Sequence, residues 1–410
     1  MKINRAAFAA AALLAGAAVA AGQTQVIYSF AGDEDGEYAD TDLVNDTAGD
    51  LYGTTVQGGD TGSGTVFQLA HATTGWIHTV LYSFTGGADG GEPYKGVTLG
   101  PNGNLFGTAG VGGLYTGPCI DTGCGVVYKL IRANGAWTQK VIHSFTGSDG
   151  DGFGPGAGVT LDSRGNVYGM TPTGGANGFG IVFELTPDGK GNWAERVIHT
   201  FAGGTDGIGG SAGRLVLDAA GNVYGLCTTG GTHGAGVVFA LAPTQSGEWT
   251  ETILYTFLDE PDSGFPYGAL VGDGRGNLYG TTYYAGKYDL GTVYRLSRRN
   301  GVWTQTWMYS FKGGPNGSSP ISTLAGDAAG NLYGTTSEGG AASCNCGVIF
   351  KLTLSSGAPP VYSVVYRFKG PPDGAFVYNG MVANAGGTAL YGATVHGGSA
   401  NEGAIYQFTP

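Results

Sequence analysis

The chain is poor in positive charge, in cysteine and in long apolar runs, and each shortage removes a class of function. Only 19 Lys and Arg stand against 31 Asp and Glu in 410 residues. Phosphate binding needs clustered basic side chains, so nucleic acid and anionic lipid surfaces are excluded as partners. One apolar run exists, Ala6 to Val19, and no second one follows it. No membrane span is therefore expected in the rest of the chain. The chain has five cysteines, and none sits behind that run to accept lipid. Lys2 and Arg5 ahead of the run and Ala18-Val19-Ala20 at its end have the form of a secretory signal. This reading assigns residues 1–22 to a leader cleaved near Ala20 and residues 23–410 to one mature propeller. An uncleaved anchor is the competing reading. Loss of Lys2 and Arg5 takes the formal charge from −12 to −14. A soluble, secreted or periplasmic monomer is expected.

Glycine is the surplus, 81 residues, about three times the usual share. That alone would suggest a disordered chain, but 41% of residues are hydrophobic and the aromatics fall at fixed offsets. A unit of roughly 55 residues recurs, and such a period marks a repeat architecture. An aromatic-Ser/Thr/Arg-Phe triplet ends at Phe30, Phe84, Phe145, Phe201, Phe257, Phe311 and Phe368. An aromatic-Gly pair begins at Tyr52, Phe106, Tyr168, Tyr224, Tyr279, Tyr333 and Tyr391. An apolar-aromatic pair ends at Phe67, Tyr128, Phe183, Phe239, Tyr294, Phe350 and Tyr406. Gly, Asp, Asn and Pro clusters between these anchors are turn signals between short strands.

In the fourth copy the strands are expected at 213–217, 222–227, 236–241 and 249–257. Alternation in the last puts Trp249, Glu251, Ile253, Tyr255 and Phe257 on one face. Five of the six tryptophans open this strand and read as packing. The final copy stops after its third strand, whereas Gln25 to Phe30 is a fourth strand with nothing before it. Pairing the two completes a seventh blade and leaves no open edge. The fold class is all-β, a seven-bladed propeller of four-stranded blades closed by its N-terminal strand.

Copies such as Gly330-Asn331-Leu332-Tyr333-Gly334-Thr335-Thr336 with Gly347-Val348-Ile349-Phe350-Lys351-Leu352 resemble the Gloeo-Verruco (GloVer) tandem repeat of exported bacterial proteins. The resemblance covers nearly all of 25–410. It implies an extracellular or surface location, often through a C-terminal anchor, and brings no catalytic residues. The chain given ends at Pro410 inside the last repeat, so no anchor is expected here. The Asp-x-x-Gly-Asn turn also resembles that of seven-bladed lyase and NHL-type propellers, which concerns fold and not chemistry.

Cys119 and Cys124 share one loop, Cys344 and Cys346 the matching loop four copies on. Two local disulfides are expected in an exported protein, the second closing a very small ring; a metal site is the rival. Cys227 replaces Thr55, Thr282 and Thr336 and reads as a buried, unreactive residue.

Function is expected where strand-four-to-one and strand-two-to-three loops share a face around the channel. Acids or Asn recur five residues after the Phe anchor, at Asp35, Asp89, Asp206, Asp262, Asn316 and Asp373, with Asp149 four after its own. They read as Asp-Gly turns. No cofactor is expected beyond calcium, whose best candidates are Asp35, Asp149 and Asp151. Aromatics that break the repeat, among them Tyr94, Tyr115, Phe153, Tyr267, Tyr284, Tyr288 and Tyr378, suit a sugar or protein ligand. His233 and His396 lie in the same loops and are candidate ligand contacts, as is Glu338; His143 and His199 stand in for Tyr and read as structural. Gly209-Gly210-Ser211-Ala212-Gly213 matches a nucleophile elbow by chance, since no strand-to-helix turn is present. Two functions stay open. The leading one is a binding or scaffold module for an extracellular or cell-wall carbohydrate or a protein. The alternative is a propeller lyase or glycosidase with a His/carboxylate site at the channel mouth.

Overall fold

The computed structural model describes residues 22–209, 213–258, 264–355 and 357–410. The leader, Asp262 and the centre of the 209–213 serine motif lie outside the described residues. Seven four-stranded antiparallel sheets follow one another as the blades of a β-propeller. Blades 1 to 6 span 44–83, 97–144, 160–200, 216–256, 266–310 and 325–367. Blade 7 joins 382–409 to Gln23–Ser29. The expected closure is present: Gln23 pairs with Thr409, Val26 with Tyr406 and Ser29 with Ala404.

Blade 4 runs from Val216–Leu217 nearest the axis, through Val223–Cys227 and Val237–Pro243, to Trp249–Thr256 outside. Its inner strand is two residues, not the five expected. Near the axis the wedge is too narrow for a long ladder, and polar groups bond sideways to the next blade instead. The Thr160 hydroxyl donates to Leu215 O (2.6 Å), and Thr335 to Asn379 O (3.0 Å). The ring closes in the same way, with Gly380 N donating to Asp42 (3.0 Å).

The aromatic anchors form the interfaces between blades. Each Phe anchor meets, edge on, the third-strand ring of the next blade, as in Phe145–Phe183 at 5.3 Å, Phe257–Tyr294 at 5.2 Å and, across the seam, Phe30–Phe67 at 5.3 Å. The glycine of the aromatic-Gly pair makes room for that ring, since a Cβ on Gly53 would lie 2.7 Å from Phe67 Cζ. Trp76, Trp137, Trp193 and Trp249 pack edge-on against Tyr391, Tyr52, Phe106 and Tyr168 of the preceding blade. The expected single face of the outer strand is corrected by a bulge opposite Val238/Phe239. Trp249 and Ile253 pack toward blade 3, whereas Tyr255 and Phe257 pack toward blade 5. An extra residue shifts the two-residue period, so one strand serves both interfaces.

The Asp-x-x-Gly-Asn turns do what their chemistry predicts. Asp218 accepts from Ala220 N and Asn222 N (both 2.9 Å) and from the Tyr224 hydroxyl (3.0 Å). Both expected disulfides are formed, Cys119–Cys124 and Cys344–Cys346, in equivalent loops of blades 2 and 6. Cys227 is free and fully buried.

One buried histidine carries a pH prediction. His78 of blade 1 stacks on Tyr28 at 4.3 Å, and burial pulls its pKa from 6.5 down to about 4. The unfolded chain then binds the proton more readily, so stability is lost as pH falls from 6.5 through 4, by at most about 3 kcal/mol. His78→Gln, the residue blade 2 carries at Gln139, is expected to flatten this limb in denaturant titrations across pH 7 to 4.

Candidate functional site

Six equivalent residues of the loops entering the blades point into one cavity of about 530 Å3 at the channel mouth: Asp40, Tyr94, Gly156, Tyr267, Ile321 and Tyr378. Each lies two residues after a backbone position with positive φ: Tyr38, Glu92, Gly154, Phe265, Ser319 and Phe376. That left-handed residue turns the chain at each blade's entry and presents the next side chains to the axis. Tyr94, Tyr267 and Tyr378 therefore do not break the repeat, as the sequence suggested. They occupy one position of it whose identity varies from blade to blade. Tyr283, Ser337, Glu338 and Phe376 complete the wall. The cavity lies on the expected face and is built from the two expected loop sets.

One step deeper along the same loops the copies carry Thr41, Ala157, Gly213, Gly268, Ser322 and Asn379, and blade 2 alone carries a cation, Lys95. Its Nζ lies 2.6 Å from Asp40 Oδ1 and 3.1 Å from Asn379 Oδ1, and only 12% of its side chain is exposed. Burial opposes its charge, but Asp40 and Asp42 outweigh burial and hold its pKa above the ordinary lysine value. The Asn379 amide nitrogen is buried with no partner, which leaves a donor beside the ion pair. Tyr94 is pushed up to about 12 by burial and by Glu92, so its hydroxyl stays protonated. Tyr267, Tyr283, Tyr284 and Phe265 form a run of ring contacts from the cavity to the rim of blade 5. Asp40 and Lys95 escaped the sequence reading, although a lone cation in a column of small residues was the available signal.

The remaining expected contacts lie elsewhere. Phe153 packs on the core beside Cys119 and Cys124. Tyr115 is on the rim and donates to Gly86 O; Tyr284 and Tyr288 are exposed there. His396 sits behind the wall between Tyr38 and Phe376. His233 is in an exposed loop. Among the described residues no histidine lines the cavity.

The three acids named for calcium do not converge. Asp35 belongs to the seam between blades 7 and 1, where its oxygens accept from Tyr28 (2.6 Å) and Ala31 N (3.0 Å). Asp149 is exposed. The residue that takes the Asp35 role in the loop after blade 2 is Asp151, which accepts from Thr146 N at 2.7 Å. Sequence counting picked the wrong acid there. A larger cleft, about 670 Å3, opens at the opposite end of blades 5 and 6, but it is walled by the turns at Asp273 and 329–331 and by Pro359 and Pro360. It lacks the aromatic convergence of the channel mouth.

The arrangement of blades is shared with solved propeller structures. A provisionally assigned 6-phosphogluconolactonase from Bacteroides uniformis superposes with a TM-score of 0.55 at 16% identity, over 84% of this chain and 88% of that one. A Lactobacillus plantarum protein gives 0.55 at 13%, over 84% and 88%. An ancestral GH74 enzyme gives 0.54 at 12%, over 91% of this chain and 48% of that one. At these identities the likeness concerns fold alone. No curated protein matches the chain in sequence. The Gloeobacter/Verrucomicrobia repeat, however, matches residues 116–341 and 247–410, well over half the chain, in agreement with the seven-fold pattern of anchors. The chain belongs to that repeat family.

Proposed function

We propose that this protein is an exported binding propeller that holds an extracellular or cell-wall carbohydrate in the cavity at its channel mouth. The observation that carries the reading is the convergence of Tyr94, Tyr267 and Tyr378 on a floor made by Lys95 and Asp40. Tyrosine faces suit the apolar side of a sugar ring, and fixed polar groups beneath them suit its hydroxyls. The cavity falls within the range of about 300–1,000 Å3 usual for small ligands, which fits a sugar unit or a chain end. Two disulfides and the Lys2–Ala20 leader pattern support export. Among the described residues no helix is long and apolar enough to cross a membrane.

Glycan-array screening of residues 23–410, followed by calorimetry on the hits, tests this. Tyr267→Ala and Tyr378→Ala are each expected to weaken binding at least about tenfold. Tyr115→Ala, on the rim, is expected to leave affinity unchanged. Affinity that survives both cavity substitutions would sink the reading. Release of cleaved sugar in the same samples would point to the lyase or glycosidase alternative.

A further inference from the structure

The same three-residue position recurs in sequence at all seven blade interfaces, six of them wholly within the described residues. It combines the residue two before the Phe anchor, the acid or Asn of the following loop, and a side chain from the next blade's outer strand. In five interfaces the first residue is Tyr28, Tyr82, Tyr255, Tyr309 or Tyr366 and the third is His78, Gln139, Gln305, Tyr362 or Thr24. In the other two the tyrosine becomes His143 or His199, and in those two alone the third residue becomes an acid, Glu195 or Glu251. The two changes occur together, so the chain supplies its own controls.

In three tyrosine interfaces the hydroxyl bonds directly to the Asp, although His78 Nε2 and Thr24 Oγ1 in two of them are buried without a partner. Tyr28, Tyr82 and Tyr366 reach their Asp at 2.6 to 2.8 Å, and Gln139 donates to Asp89 O at 3.0 Å. The histidine interfaces instead set one imidazole nitrogen between two carboxylates, with only His199 and Asp206 hydrogen-bonded. His143 Nε2 lies 3.5 Å from both Asp151 Oδ1 and Glu195 Oε1. His199 Nε2 lies 3.2 Å from Asp206 Oδ1 and 3.6 Å from Glu251 Oε1. Within each set the three donor atoms fall within 4.8 Å of one another. Four bonds of the usual zinc lengths place neighbouring tetrahedral ligands about 3.3–3.5 Å apart, close to the four His–carboxylate separations. His143 Nε2, Glu195 Oε1 and Glu251 Oε1 are shielded from solvent and have no hydrogen-bond partner. Two carboxylates and an imidazole with no cation between them are a costly arrangement to bury. Burial, with Asp151 nearby, pushes Glu195 up to about 7, and burial with Asp206 likewise raises Glu251.

We propose that His143, Asp151 and Glu195 bind one first-row divalent transition ion, and His199, Asp206 and Glu251 a second. One imidazole nitrogen with two carboxylates suits zinc and not calcium, which takes oxygen donors throughout. The fourth position is left to water. Since His and Asp come from one blade and its exit loop and Glu from the next, each ion joins two neighbours. Blade 3, between them, is fastened on both sides.

The test uses residues 23–410 stripped with a chelator and titrated with zinc chloride, with binding followed by calorimetry and Tm by scanning calorimetry. Two ions per chain and a rise in Tm are expected. Glu195→Gln and Glu251→Gln are each expected to remove one ion, and the double variant both, together with the rise. Glutamine is native to this position at 139 and 305, so these variants keep a side chain that the fold already accepts there. Zinc binding that is absent, or that is unchanged in the double variant, overturns the proposal and leaves a proton shared between Asp and Glu as the occupant.

Discussion

Removal of residues 22–30 is expected to unseat the last blade and lower stability by at least about 5 kcal/mol. The segment supplies the outer strand of blade 7, with its ladder to Ala404–Thr409. It also supplies two buried apolar side chains, Ile27 and Phe30, at 7% and 0% exposure. Each is worth roughly 1.5–3 kcal/mol on burial, and each ladder bond about 1 kcal/mol net. Phe30 further meets Phe67, so the cut also opens the face between blades 7 and 1. Against a whole-domain stability of about 5–15 kcal/mol the loss is severe. Scanning calorimetry should show a lower, broader transition, and amide exchange should show protection lost first over Leu390–Thr394 and Ala404–Thr409. A synthetic peptide of residues 22–30, added in excess, should restore part of both. A truncated chain with the intact Tm would refute closure by this strand.

The second large effect is expected at the channel mouth. Lys95→Met keeps the length of the side chain but leaves Asp40 and Asp42 without their cation. Breaking one half of a buried pair costs on the order of 3 kcal/mol, because the remaining charge is stranded. Adding Asp40→Asn should recover much of that loss, and a double variant no better than the single one would disprove the pairing. The raised pKa of Lys95 gives a second signature. Its stabilisation is fully present below the ordinary lysine value and is lost as pH rises through the higher folded value. Wild type and Lys95→Met should therefore converge in stability once pH has risen past the ordinary lysine value and through the higher folded one. Under the binding proposal the single variant also loses its ligand.

Much of the fold was legible because its rules are local. An Asp-x-x-Gly-Asn turn closes on its own backbone, a glycine beside an aromatic leaves room for one ring, and a strand without partners at each end of the chain points to a seam. These relations hold within about one repeat, so their period and count could be read directly. The bulge in the outer strands was not legible. It follows from packing one strand against two neighbours, and no residue type marks it. Asp149 was placed at the recurring acid position, which Asp151 in fact holds, for a related reason: counting from Phe145 assumes a loop of constant length, and this one is a residue longer.

The site was legible only in part. The three tyrosines looked like exceptions until the left-handed residue ahead of each showed them to be one position of the repeat. Lys95 and Asp40 sit 55 residues apart, and His143 and Glu195 52 apart. By itself the sequence determined seven units, the order of their strands and the closing pair, since each depends on neighbours in the chain or on simple alternation. Only the tertiary structure decided which side chains from different repeats meet. A ring brings equivalent positions of successive blades into contact, and the chemistry there depends on differences between copies that a shared pattern conceals.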